Sequence, residues 1–156
     1  MSCEYLTPLS FRKRLSKTPK FYFFDPGIAR ALTSQLSLPL QERTSMCGEI
    51  FEHFIILQCT QLASYFHREY RFSYLQTKDG AEIDLVVERP GQPILFLEIK
   101  SNDNVQNVGC TNLRMFAKDM VNREAEYISR DPYPKQLDGI TIYPWQEGIA
   151  RYFTKK

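Results

Sequence analysis

The sequence predicts one mixed α/β domain, with a three-stranded antiparallel meander, further strands and flanking helices. Its 156 residues, of which 43% are hydrophobic, are enough to build a core. Apolar and polar residues alternate over residues 82–88 and again over 94–100, which is the period of pleated strands. Apolar residues recur at helical spacing from residue 45 to about residue 66. These patterns place the meander behind one long helix.

The chain before the long helix is predicted to contain a linker, a strand and a short helix. Residues 1–20 are polar and basic, so we expect a linker or the tail of an upstream domain, with the folded domain over residues 21–156. The aromatic run at residues 20–25 predicts a short buried strand. Pro26 and the glycine after it turn the chain into a short helix that ends near Leu32.

The long helix carries a glutamate that its helical position does not explain. Ser45 is the predicted cap, and Glu49 and Glu52 lie three residues apart, hence on one side of the helix near its start. A negative charge stabilises a helix N-terminus, which accounts well for Glu49. Glu52 adjoins Phe51 and lies close to Ile55 on the apolar stripe, so it is the better candidate for a functional role.

Three strands are predicted after the long helix. The first runs through Tyr70, Phe72 and Tyr74, and a turn at residues 78–80 leads into the second. A loop at residues 89–93 joins the second strand to the third, because its prolines and glycine reverse the chain. The remaining predicted elements are a polar loop, a helix over about residues 110–121, a strand over 126–129, a last strand over 138–143 and a final helix through Ile149 and Tyr152.

The pairing of the second and third strands places like charges together. Directly opposite residues of an antiparallel pair point to the same face, so Val86 is expected opposite Phe96 and Asp84 opposite Glu98. A slip by two residues is the alternative register. Like charges placed opposite one another destabilise a sheet, so this pair requires a cation. Lys100 is one candidate and a bound metal ion is another.

The same charges could instead lie on a hydrated face, since one face of a hairpin commonly meets solvent. Val86 and Phe96 share that face, however, and we expect the long helix to cover it. Covering carboxylates without partners is costly, so a covered charged face favours a functional site. Glu82, opposite Lys100 in this register, would orient the lysine.

Composition excludes several other classes of function. Two histidines are too few for a multi-histidine zinc centre, and the four cysteines lack metal-ligand spacing and are expected to be reduced thiols of a cytoplasmic protein. The sequence has no Walker-type phosphate loop and no apolar run long enough to span a bilayer. A net charge of +2 does not by itself indicate nucleic-acid binding.

The order of these features resembles the PD-(D/E)XK nuclease superfamily. That superfamily carries a glutamate on a helix, an aspartate on the second core strand and Glu-x-Lys on the third. The matching residues here are Glu52, Asp84, Glu98 and Lys100, and the resemblance spans about residues 45–130. It implies a restriction-endonuclease-like core.

A closer resemblance covers nearly the whole chain, through motifs at residues 20–29, 48–54, 79–84, 98–101 and 142–145. Together they resemble a nuclease-like domain of unknown function that follows an AAA-type ATPase module in many bacterial and archaeal proteins. The resemblance implies that this chain is the C-terminal part of such a protein, with the ATPase module as its partner. The lack of a long apolar run predicts no membrane association, and the cysteine usage predicts a cytoplasmic location.

The resemblance also implies metal-dependent hydrolysis of phosphodiester bonds, in DNA first and RNA second. Asp84, Glu98 and the backbone carbonyl of Ile99 would ligate Mg²⁺, or Mn²⁺, with Glu52 as a ligand directly or through water. Lys100 would lower the pKa of the attacking water or stabilise the phosphorane charge.

Contacts to phosphate are expected at Arg71, at Lys78 or in a basic cluster near the N-terminus. That cluster could equally be a solvated part of the linker. Its members are Arg12, Lys13, Arg14, Lys17 and Lys20.

The alternative function is a catalytically inactive nuclease fold that binds DNA or docks a partner protein. Exposed aromatic side chains at Tyr133 and Tyr143 would serve such a surface. Trp145 could join them, although packing into the core fits it better.

Overall fold

The computed structural model describes residues 3–8, 19–76, 81–106, 113 and 122–154. The predicted turn at 78–80 and nearly all of the helix predicted over about residues 110–121 lie outside these residues. Within them the chain forms a mixed α/β structure, as predicted. None of the helices in the described ranges is both long and apolar enough to cross a membrane.

The described chain forms two strands, two helices, six further strands and a C-terminal helix. In chain order they are β1 (Cys3–Pro8), β2 (Lys20–Phe23), α1 (Pro26–Leu32), α2 (Ser45–Tyr65), β3 (Arg71–Gln76), β4 (Glu82–Glu88), β5 (Ile94–Ile99), β6 (Arg123–Ser129), β7 (Lys135–Leu137), β8 (Ile140–Pro144) and α3 (Trp145–Ile149), which continues into a π-helical turn at Ala150–Thr154.

The described strands form an eight-stranded sheet in the order β2-β1-β3-β4-β5-β6-β8-β7. The predicted antiparallel meander is confirmed as β3-β4-β5. Beyond it, β5, β6 and β8 run parallel, while β7 pairs antiparallel with β8. On the other side, β1 pairs parallel with β3 and antiparallel with β2. Strand β1 falls in the segment predicted as a linker, so residues 3–8 belong to the sheet.

Local sequence signals set the helix starts. Asp25 caps α1 by accepting a 2.6 Å hydrogen bond from the backbone N–H of Gly27, with proline at the first helical position. Thr44 caps α2 by accepting a hydrogen bond from the backbone N–H of Cys47. The predicted cap, Ser45, is therefore the first helical residue. Both positions carry hydroxyls, so the sequence alone could not choose between them.

The long helix covers the opposite face of the meander from the one predicted. Ile55 and Cys59 of α2 share a core cluster with Leu97 and its same-face neighbours on β4 and β5. Val86 and Phe96 lie in the second core cluster, with Leu113 and Ile142. The expectation that α2 covers Val86 and Phe96 was therefore wrong. Both faces of β4 and β5 are apolar, so alternation could not show which face meets the helix.

A β-bulge in β4 changes which residues share a face. Ser73 is paired with Val86, and Leu75 is paired with Ile83. Between these pairs β3 advances by two residues and β4 by three, so β4 holds one extra residue. Ile83 consequently packs in the same cluster as Val86 despite the odd spacing between them. The predicted pairing of Val86 with Phe96 is confirmed.

The chain ends also differ in detail from the predictions. In β2, Tyr22 is buried but Phe21 is 62% exposed, so the aromatic strand is buried on one face only. The strand predicted over residues 138–143 begins at Ile140, because Asp138 and Gly139 have positive φ values of 52° and 78° and form the turn between β7 and β8.

We expect the C-terminal turn to be essential for the core. Phe153 is fully buried and stacks on Phe72 with ring centroids 6.2 Å apart. Phe153→Ala should therefore lower the free energy of unfolding by about 3–5 kcal/mol, because it removes apolar contacts and leaves a cavity. Urea unfolding followed by circular dichroism measures this loss. The matched change Phe21→Ala should cost about 0.5 kcal/mol or less, and equal losses in the two variants would contradict the packing described.

Candidate functional site

Three of the predicted site residues come together where β5 ends. The ammonium of Lys100 lies 2.7 Å from Glu98 Oε1 and 3.8 Å from Asp84 Oδ2. Asp84 is only 6% exposed, and its Oδ2 also accepts a 2.7 Å hydrogen bond from the backbone N–H of Ile99. The paired residues of β4 and β5 end at Leu85 and Leu97, so the carboxylate serves as the partner that this N–H needs.

The fourth predicted residue, Glu52, lies beside a second lysine. The ammonium of Lys20 is 3.2 Å from Glu52 Oε1 and also contacts Glu82. The hydroxyl of Tyr22 donates a 2.9 Å hydrogen bond to the same oxygen of Glu52. The Lys20 ammonium further lies 5.2 Å from the ring centroid of Tyr74, within range of a cation–π contact. Lys20 thus holds carboxylates from α2 and β4 together.

Lys100 with Asp84 and Glu98, and Lys20 with Glu52 and Glu82, form one electrostatic cluster. The charge of Glu52 raises the pKa of both Asp84 and Glu98, and the charge of Glu82 also raises the pKa of Glu98. With every group ionised, four carboxylates face two ammonium groups. The cluster would then carry two uncompensated negative charges.

The buried carboxylates hold protons unusually tightly. Burial raises the pKa of Asp84 from 3.8 to about 7, and the charge of Glu98 adds to that effect, while the Lys100 ammonium opposes it. Burial likewise raises the pKa of Glu98, again against the effect of Lys100. Asp84 therefore takes up a proton at a higher pH than an exposed carboxylate does. A divalent cation bound there would displace a proton.

Both lysines stay protonated at neutral pH. Burial acts to lower the pKa of Lys100, but the charges of Asp84 and Glu98 outweigh it, and the net shift is upward. The same holds for Lys20, where burial is outweighed by the charges and hydrogen bonds of Glu52 and Glu82. Each lysine is therefore a fixed positive charge and cannot act as a general base.

The residues present fit a magnesium ion. Oε2 of Glu98 is buried and has no hydrogen-bond partner within the described part of the chain. Among the residues that the structure describes, no group of three or more His, Cys, Asp and Glu side chains could hold a metal. Magnesium does not require such a cage, because it keeps several waters and is commonly bound through one or two carboxylates. Asp84 and Glu98 are two such carboxylates, and their ligand roles stay predictions, as do those of Glu52 and the Ile99 carbonyl.

A surface groove reaches the Lys20 end of the cluster. Its volume is about 330 Å³. Lys20, Glu52 and Glu82 have side-chain exposures of 28%, 24% and 29%, so small ions can reach them from solvent. The residues lining the groove are Lys20, Phe21, Tyr22, Glu49, Glu52 and His53.

Several other predicted roles do not meet at this site. Glu82, expected to orient Lys100, contacts Lys20 instead. Arg71 lies at the opposite end of β3 from Gln76, which hydrogen-bonds Glu82, and the five steps of strand between them span about 16 Å. Lys78 and the basic residues before residue 19 lie outside the described residues, apart from their continuation at Lys20.

The aromatic residues of the alternative function divide between surface and core. Tyr133 is 76% exposed. Trp145 packs edge-to-face against Phe54 with ring centroids 5.2 Å apart, so its predicted role in packing is confirmed. The Tyr143 ring lies 5.5 Å from the Arg151 guanidinium. Of the three, Tyr133 is exposed, whereas Tyr143 and Trp145 are half-buried.

Sequence reasoning missed Tyr22 as a member of the site, and it gave Lys20 only as part of a basic cluster that could contact phosphate, not as a partner of Glu52 and Glu82. The available signal was their alternation on β2, which places both side chains on one face of the strand. Lys20 was instead grouped with the basic N-terminal residues, and Tyr22 with an aromatic run predicted to be entirely core. Both interpretations used local composition only.

The chain belongs to the family described as Domain of unknown function (DUF4143), which matches residues 47–147. No curated protein matches the chain. The matched range includes Glu52, Asp84, Glu98 and Lys100, while Lys20 lies before it.

The raised pKa of Asp84 predicts a specific pH dependence of stability in the presence of EDTA. Below about pH 4 both the folded and the unfolded protein carry a proton on Asp84. Between about pH 4 and 7 the unfolded chain loses that proton while the fold keeps it, so the free energy of unfolding should fall as pH rises. Asp84→Asn should remove on the order of 3 kcal/mol of this fall.

Urea unfolding at several pH values measures the slope. The matched variant Asp103→Asn, at a side chain that is 54% exposed, should keep the wild-type slope. An unchanged slope in Asp84→Asn would show that Asp84 titrates at its ordinary pKa.

Proposed function

We propose that this domain is a Mg²⁺-dependent hydrolase of phosphodiester bonds, with a restriction-endonuclease-like core of the PD-(D/E)XK type. The observation that carries the proposal is that the Lys100 ammonium contacts Glu98 Oε1 and lies 3.8 Å from the buried Asp84 Oδ2, while the other oxygen of Glu98, Oε2, has no hydrogen-bond partner among the described residues. A cation and two carboxylates in this arrangement are the groups that such chemistry requires. Mn²⁺ would serve in place of Mg²⁺.

Asp84 and Glu98 are the proposed ligands, with the backbone carbonyl of Ile99 beside them. Glu52 would be a ligand directly or through water, and its Oε1 is already held by Lys20 and Tyr22. When bound, the ion would polarise a phosphate oxygen and acidify a water molecule.

Lys100 is proposed to stabilise negative charge in the transition state. The carboxylates beside it raise its pKa, so it is protonated at neutral pH and its ammonium can donate hydrogen bonds. A fixed ammonium directed at the developing charge of a phosphorane needs no rearrangement during the reaction. Proton removal from the attacking water would therefore fall to another group.

The proposed substrate is nucleic acid, with DNA favoured over RNA, and the proposed partner is an upstream AAA-type ATPase module. Membership of the DUF4143 family supports this partner through the resemblance described for residues 20–145. The second candidate function is a module that binds DNA or a partner protein without cleaving it. The ring of Tyr133, which is 76% exposed, supports this alternative as part of a binding surface.

Plasmid cleavage in Mg²⁺ or Mn²⁺ tests the enzymatic function. Wild-type protein should nick or linearise the plasmid, and Asp84→Asn and Lys100→Met should each lower the rate about 100-fold or more, because each removes a charge needed in the transition state. EDTA should abolish cleavage. The control Asp103→Asn should cleave at the wild-type rate.

Equal cleavage by all four proteins would identify a contaminating nuclease and overturn the assignment. DNA binding by wild-type protein without Mg²⁺- or Mn²⁺-dependent cleavage would instead favour the docking module. Gel-shift experiments on the same samples separate these results.

A further inference from the structure

Two lysines bridge carboxylates in this cluster, but their environments differ. Lys20 contacts both Glu52 and Glu82 directly, and Tyr22 supplies a further hydrogen bond to Glu52. Lys100 is in direct contact with Glu98 only, since Asp84 lies 3.8 Å from its ammonium. Lys20 therefore bridges its two carboxylates more closely than Lys100 bridges Asp84 and Glu98.

Lys100, which has the fewer close contacts, is also the more exposed of the two lysines. The side chain of Lys100 is 44% exposed, against 28% for Lys20. Both Glu98 Oε2 and Glu82 Oε1 lack a hydrogen-bond partner among the described residues, but Glu82 Oε1 is in ion-pair contact with the Lys20 ammonium, and Glu98 Oε2 has no such contact there. The Asp84–Glu98 pair therefore retains an oxygen that can accept a cation. At the Glu52–Glu82 pair, an ammonium already lies where that cation would bind.

We propose that Lys20 is a built-in cation of the site, which occupies the position between Glu52 and Glu82 and limits the domain to one divalent ion. An ammonium and a metal ion both satisfy carboxylate oxygens, and the two cannot occupy one position. This inference rests on the proposed function, because it takes Asp84 and Glu98 as the place of the single ion.

The inference gives Lys20 and Tyr22 a defined role as positioning residues. Glu52 Oε1 accepts hydrogen bonds from Lys20 and Tyr22, and both donors lie on β2. These contacts hold the Glu52 carboxylate on the β2 side of the cluster. The two hydrogen bonds keep Oε1 of Glu52 from ligating an ion at Asp84 and Glu98 directly, while a water molecule could still link it to that ion.

Metal stoichiometry tests the inference without any activity measurement. Mn²⁺ titrated into full-length protein in a calorimeter should bind at one ion per chain in wild type and two in Lys20→Met, because the neutral side chain frees the second position. Lys20→Arg, which keeps the charge, should bind one. The matched control is Lys135→Met, since Lys135 also pairs with a buried carboxylate, Asp131, away from this cluster.

Tb³⁺ gives an independent readout of where the second ion binds. Tyr22 lies in hydrogen-bond contact with Glu52, so light absorbed by its ring should sensitise luminescence from an ion held there. Luminescence should rise at least about twofold in Lys20→Met over wild type, in proportion to the added ion. It should return to the wild-type level in Lys20→Met/Glu52→Gln.

The outcomes separate this inference from the proposed function. No Mn²⁺ bound to wild type would overturn both. One ion in wild type and one in folded Lys20→Met would overturn the role of Lys20 alone, as would two ions in wild type. If Lys20→Met does not fold in EDTA, Mn²⁺ should restore its circular dichroism spectrum by replacing the ammonium, and failure to do so contradicts the inference.

Discussion

The hydrogen bond from the Ile99 N–H to the Asp84 carboxylate is the interaction on which the site depends. Pairing between β4 and β5 ends at Leu85 and Leu97, and without another partner the N–H of a residue that is 4% exposed would be left unsatisfied. Asp84 supplies that partner at 2.7 Å, and the bond fixes its carboxylate deep in the structure. Once the carboxylate is buried, its charge requires a cation, and Lys100 lies within reach of it.

The β-bulge explains how much of this arrangement the sequence could reveal. Alternation predicted β4, β5 and the pairing of Val86 with Phe96, because period 2 depends on local residue type alone. The extra residue in β4 leaves no mark in composition, so the change of face between Ile83 and Leu85 was not predictable. The face that α2 covers was not predictable for a separate reason, which is that both faces of these strands are apolar.

The site also combines contacts within one hairpin, which the sequence could predict, with contacts between residues far apart in the sequence, which it could not. Asp84, Glu98 and Lys100 lie on one hairpin, so strand register alone brought them near each other. Lys20 reaches Glu82 from a strand that precedes α2 in sequence, through a sheet order in which β1 separates β2 from β3. Sequence periodicity does not indicate a contact between such distant segments, and only the strand order of the sheet shows it. The resemblance at residues 20–29 pointed to that segment without stating its role.

The balance of charge connects these observations to function. An arrangement of four carboxylates that served only stability would be costly, because buried like charges raise one another's pKa and destabilise the ionised fold. Lys20 and Lys100 offset half of the formal negative charge and leave the remainder around Glu98, where a buried oxygen lacks a partner among the described residues. Glu98 thus lies next to the Lys100 ammonium, whose side chain is 44% exposed. A divalent cation at Asp84 and Glu98 would neutralise the cluster, so the electrostatic cost of the fold and the proposed chemistry have a single explanation.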